Sequence, residues 1–117
     1  MKNYELENIF KSLQEVSSLE TSVSVAVGLK IVQNKKKIAT AYESVNDMKN
    51  AIIGKYAEDG EVKPDNPHYQ DCVDDINELM NQECEELQFK KINVHDIEKC
   101  ELPLKAMEAL LIMLEEG

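Results

Sequence analysis

The chain has 117 residues and no arginine or tryptophan; its aromatics are four Tyr and two Phe. Without arginine it lacks the side chain best suited to bidentate recognition of carboxylate, phosphate or guanine. Arginine-finger chemistry is excluded outright. Four glycines leave little for a phosphate-cradling loop. There is no G-x-G-x-x-G, P-loop, G-x-S-x-G or H-E-x-x-H signature. The longest apolar stretches are Val23 to Leu29 and Leu104 to Leu114, and the second carries Lys105 and Glu108. Both are too short to span a bilayer, so no membrane partner is expected. Cys72, Cys84 and Cys100 are an odd number with no C-x-x-C, and read as reduced intracellular thiols. The first residues carry Glu5 and Glu7 with no apolar stretch behind them, so no secretory leader is expected and the location reads as cytoplasmic.

What the chain does have is acid. There are 13 Lys against 23 Asp+Glu, a formal net charge of −10. The charge is unevenly spread. Residues 1–55 hold 8 Lys and 6 acids, net +2; residues 56–117 hold 5 Lys and 17 acids, net −12. Phosphate-backbone binding runs on clustered positive charge, so direct nucleic-acid binding is not expected. With 43% apolar and 31% charged residues the chain reads as globular, one domain over 1–117.

Hydrophobic periodicity predicts a mainly α fold: one long helix, three shorter amphipathic helices, and a short β-strand or hairpin element over residues 87–94. Leu6, Ile9, Phe10, Leu13 and Val16 make one stripe on a first short helix. Ser17 with Glu20 has capping-box spacing, and Ser22 is a rival cap. Val23 to Val27 alternates as a strand does, but the residues after it have helical period, which favours a helix entering there. From Leu29 to Tyr56 no proline intervenes, and Ile31, Ile38, Val45 and Ile52 recur every seven residues. Asn34, Ala41 and Met48 form a second, partly polar line beside them, flanked by Tyr42 and Tyr56. A seam this long predicts self-association through Ile31, Ile38, Val45 and Ile52, as a dimer or higher homo-oligomer. Residues 58–67 form a loop with an Asp59-Gly60 turn and two prolines. Its acids do not have EF-hand spacing, and a solvated turn is the plainer reading. Asn66 is expected to cap, and Pro67 to open, a helix with the stripe Tyr69, Cys72, Val73, Ile76, Leu79 and Met80. Residues 87–94 alternate with a slip at Lys90-Lys91, as a strand with a bulge would. The partner could be the Val23 segment, the Glu61-Val62 edge or another subunit. A last helix from Pro103 carries Leu104, Met107, Leu110, Leu111 and Leu114, and its closing acids should fray it.

Candidate chemistry is sparse. Cys84, His95, Asp96 and Cys100 could make an activated thiol or bind zinc, but their spacings match no zinc pattern. Small apolar packers and a turn or cap residue are the plainer reading. No catalytic residue, metal site or cofactor is expected. Two binding surfaces suggest themselves. Asp71, Asp74, Asp75, Glu78, Glu85 and Glu86 could occupy a basic groove on a host protein. Lys30, Lys35, Lys36 and Lys37, joined by Lys90 and Lys91, could trap a small anionic ligand if subunits came together. For both the lysine and the acid clusters, solvated surface is the plainer reading.

The order of parts resembles a known family. It runs from an Asn3-Tyr4-Glu5-Leu6 helix, through a Lys-rich seamed helix ending Gly54-Lys55-Tyr56, to the Asp59-Gly60 loop. An Asn77-Glu78-Leu79-Met80-Asn81-Gln82-Glu83 helix end, a short strand and a Leu102-Pro103-Leu104 helix complete it. Over nearly its whole length the chain resembles the small phage and prophage proteins of the domain of unknown function 1617 family. The resemblance implies a small cytoplasmic protein made in a phage host cell and carries no catalytic motif. The expected function is a non-enzymatic accessory protein that binds a host component, in counter-defence or host takeover. The alternative is a structural or assembly factor of phage morphogenesis held by helix pairing.

Overall fold

Ser24 starts the element on which the rest is built. Its hydroxyl accepts from the backbone N–H of Val27 at 3.3 Å and caps helix α2, Val25–Tyr56. The ambiguous Val23 segment thus feeds a helix, and the cap is neither of the serines expected. A computed structural model describes residues 1–15, 21, 23–97 and 104–115. Ser17, Glu20, Ser22 and Val16 lie outside them.

At 32 residues, α2 is roughly 48 Å long at 1.5 Å per residue. It sets the long axis of a 54 × 24 × 19 Å molecule. Helix α1, Asn3–Glu15, packs on its middle, and Leu6 and Leu13 are buried there. Phe10 of α1 stacks on Tyr42 of α2 with centroids 4.4 Å apart. Helix α3, Tyr69–Asn81, covers the C-terminal end of α2 through Cys72 and Leu79. Helix α4, Leu104–Leu110, packs against α1.

The heptad seam is the chain's own core. Ile31, Ile38, Val45 and Ile52 are all buried within one protomer. Self-association through these four residues is therefore corrected: α1, α3 and the segment after α3 cover what the short helices alone were not expected to cover. Asn34 and Ala41 of the second line are buried too, whereas Met48 is 52% exposed.

The loop after α2 turns where expected. Glu58 and Glu61 exchange two backbone hydrogen bonds across Asp59 (φ 54°) and Gly60 (φ 82°), both left-handed. Helix α3 then starts two residues later than Pro67. Asn66 does not cap it. Its Oδ1 accepts from the His68 N–H at 2.8 Å and its Nδ2 donates to the Tyr56 carbonyl at 3.0 Å, tying the loop to the end of α2.

The expected strand over 87–94 shrinks to β1, Ile92–Asn93, with no ladder at 87–91 and no bulge. Its partner is none of the three expected. β2, Leu114–Glu115, runs parallel to it, with Ile92 opposite Leu114 and Asn93 opposite Glu115. The last helix is also shorter than expected. After Leu110 it tightens to a 3-10 turn, Leu111–Met113. At three residues per turn Met113 falls under Leu110, and both are buried, while Leu104 and Leu111 face outward. Ala109, Leu110, Met113, Ile92 and Ile97 join the α1–α2 core.

Candidate functional site

Lys30 and Lys37 reach across to the segment that carries Lys90 and Lys91. Lys30, Asn34 and Lys37 stand at i, i+4 and i+7, on one face of α2. All three donate to the backbone of the segment after α3. Lys30 Nζ reaches the Lys91 carbonyl at 3.0 Å, Asn34 Nδ2 the Lys90 carbonyl at 2.9 Å, and Lys37 Nζ the Gln88 carbonyl. Lys30 and Lys37 thus serve as struts of the fold, each with one donor on a backbone carbonyl. Lys36, Lys90 and Lys91 are exposed, and Lys35 is half-buried. Lys35 and Lys36 rim an apolar depression of about 280 Å³ between α1 and α2, floored by Phe10, Leu13, Val32, Ile38 and Ala39.

The acids fall into two places. Asp71, Asp74, Asp75 and Glu78 form a stripe on α3, because positions i, i+3, i+4 and i+7 share one helix face. Asp75 is turned inward and its Oδ2 accepts from the Tyr56 hydroxyl at 2.7 Å, which raises the phenol above its ordinary pKa. Asp71 faces His68 Nδ1 at 3.2 Å, and Asp74 accepts from the Gln70 side chain at 2.8 Å. Glu78 makes no hydrogen bond or ion pair among the described residues. Glu85 and Glu86 lie beyond the helix, beside Leu87 and Phe89 in a separate depression of about 370 Å³.

Between α2 and α3 runs an open groove of about 590 Å³. Met48, Ala51, Ile52 and Leu79 form its apolar floor; Asp75, Glu78 and Gln82 form one wall and Lys55 stands on the other. Lys55 Nζ lies 5.0 Å from the Tyr56 ring centroid and, among the described residues, forms no ion pair with a carboxylate. At one end of the groove α1 starts beside the C-terminal end of α3, where Asn3 Nδ2 donates to the Leu79 carbonyl at 2.8 Å.

Of the cysteine–histidine set, Cys84, His95 and Asp96 lie among the described residues. Cys84 Sγ donates to the Glu85 carbonyl at 3.3 Å, and burial pushes its thiol pKa up, away from the reactive thiolate. Cys100 lies outside the described residues. Among the described residues no three of His, Cys, Asp and Glu are placed to hold a metal ion. No described helix is long and apolar enough to cross a membrane.

Two polar clusters escaped the sequence reading. Glu7 accepts from Lys49 Nζ at 2.9 Å, Lys11 Nζ at 3.3 Å and the Tyr42 hydroxyl at 3.2 Å, tying α1 to α2. Burial alone would raise the Glu7 carboxyl, but these three donors outweigh it and hold its pKa below the ordinary glutamate value. Burial, with the Glu7 carboxylate facing it, pushes Tyr42 above the usual phenol range. The Lys11 spacing at i+4 from Glu7 was visible in the sequence; the Lys49 partner, 42 residues away, was not. The other cluster is Asn34 with Lys90, whose only trace in the sequence is a polar residue in the line Asn34–Ala41–Met48.

No family model, curated protein or solved structure matches the chain.

Proposed function

We propose that this chain is a non-enzymatic phage or prophage accessory protein that binds a host component in the host cytoplasm, as a counter-defence or host-takeover factor. The phage setting rests on the sequence resemblance. The binding mode rests on α3, where Asp71, Asp74 and Glu78 stand exposed and, among the described residues, no lysine pairs with any of them. Exposed carboxylates in a row attract a basic partner, steering encounter and fixing register. Of the two binding modes, masking a basic host protein is favoured over trapping a small anion. Two of the six lysines needed for the anion site already hold the chain's own carbonyls.

The test is capture from host lysate at low and high salt, using the parent chain and an Asp71→Asn, Asp74→Asn, Glu78→Gln variant. The expected result is a basic protein that is retained at low salt, released at high salt and lost in the variant. Equal capture by both chains at both salts overturns the reading.

A second reading has its own support. Val25 is 90% exposed, and with Leu29 it leaves an apolar stripe at the start of α2. Helix pairing there would suit a morphogenesis factor, and co-purification with virions or assembly intermediates is the result that favours it.

A further inference from the structure

The groove between α2 and α3 has two properties that together select a ligand class. Its floor is apolar and open: Met48 is an exposed, unbranched thioether, and Leu79 lies beside it half-buried. Methionine adapts its shape to whatever covers it, which suits a surface that receives an apolar anchor. Its α3 wall is anionic, and Glu78, which has no partner among the described residues, projects from that wall. Asp71 and Asp74 continue the same charge along the helix, toward its start. The single lysine of the opposite wall, Lys55, does not neutralise this wall, since no ion pair joins it to Asp75 or Glu78 among the described residues.

We propose that this groove is a docking site for a basic amphipathic helix of a partner protein, which seats apolar side chains on Met48 and Leu79 and sets lysine or arginine against Glu78, Asp74 and Asp71. The proposal deepens the basic-partner reading above and rests on it. Two helices of the chain already form the trough, so the incoming helix lies along it with anchors at i, i+3 or i+4, and i+7. The groove volume, about 590 Å³, is within the range that receives several large side chains. An acidic or purely apolar helix would leave Glu78 facing like charge or stripped of water, so charge sets the choice of occupant.

The probe is a helical peptide of about 15 residues with Leu at the anchor spacing and Lys elsewhere. A Leu/Glu peptide of the same pattern and an oligolysine of the same length serve as comparisons. Binding is followed by fluorescence anisotropy and by methionine-methyl NMR of the full chain. Met48 and Glu78 are both exposed, so Met48→Glu and Glu78→Lys leave the core untouched, and a melting curve checks this. The expected result is binding of the Leu/Lys peptide, a shifted Met48 methyl signal, and about tenfold weakening by either substitution. Equal binding of the Leu/Glu peptide or of oligolysine overturns the proposal. So does a bound Leu/Lys peptide with a silent Met48 methyl, although the basic-partner reading then stands. No binding of the Leu/Lys peptide, with lysate capture still dependent on the α3 acids, overturns the groove alone. A chain whose own mass in solution falls on Met48→Glu identifies the occupant as a second copy, which also overturns it.

Discussion

Asn34 and Lys90 face each other as two strands would. The Asn34 amide donates to the Lys90 carbonyl at 2.9 Å and accepts from the Lys90 N–H at 2.8 Å. One side chain on a buried helix face thus stands in for a neighbouring strand. Lys30 and Lys37 extend the arrangement one turn either way, onto the carbonyls of Lys91 and Gln88. The segment therefore runs antiparallel to α2 without a ladder, its Gln88, Lys90 and Lys91 carbonyls and Lys90 N–H held by α2 side chains, and it carries Leu87 and Phe89 onto the core.

Asn34→Leu should consequently cost more than its similar volume suggests. It strands the N–H and C=O of Lys90 against an apolar side chain, and each unsatisfied group costs about 1–3 kcal/mol. The expected loss is about 2 kcal/mol in urea unfolding, with faster amide exchange at Lys90 than elsewhere. An unchanged midpoint with full Lys90 protection would contradict the clamp.

The Glu7 cluster predicts a pH dependence. Its folded-state pKa is lowered, so its contribution is present above the ordinary value of 4.5 and is lost as pH falls through the lower folded value. Glu7→Gln should therefore lower stability by about 1–2 kcal/mol at neutral pH, with the difference closing below pH 4.5. Tyr42 works the other way: its folded pKa is raised, so its contribution is present below 10.0 and lost as pH rises through the higher value. Phenolate absorbance, compared between the parent chain and Tyr42→Phe, should place the Tyr42 titration above 10.0. A Glu7→Gln difference that persists unchanged into acid would contradict the network.

Ile38→Ala tests where the seam belongs. A buried isoleucine truncated to alanine costs about 2–5 kcal/mol. Since Ile38 packs inside one protomer, its midpoint shift should be the same over roughly a hundredfold range of protein concentration. A shift that grows on dilution would return the seam to a subunit interface.

What the sequence showed plainly were the faces of α1, α2 and α3, because a 3.6-residue stripe of Leu6, Leu13, Ile31, Ile38 or Cys72 states its own burial. The inward alternation of Leu87 and Phe89 was also readable. What the alternation could not say is who satisfies the backbone between them; that was settled by Asn34, 56 residues earlier. The parallel pairing of Ile92 with Leu114 was hidden for the same reason, since two-residue strands carry almost no periodic signal. The candidate groove was half legible: the acids of α3 stood out, but the floor required Met48 and Leu79 to meet across a loop.

The end of the chain offers the sharpest test of a phase misread from sequence. Leu110 and Leu111 are adjacent, yet Leu110 is 0% exposed and Leu111 63%. A continuous α-helix would keep both within one apolar stripe. The 3-10 turn instead rotates Leu111 outward and places Met113 inward beneath Leu110. Leu111→Glu should stay within about 0.5 kcal/mol of the parent chain, as exposed substitutions do. Leu110→Glu buries an unpaired carboxylate in the α1–α4 core and should abolish cooperative unfolding or lower stability by more than about 4 kcal/mol. Comparable losses from both substitutions, measured by thermal melts of the two variants side by side, would mean that the helix runs on past Leu110 without tightening.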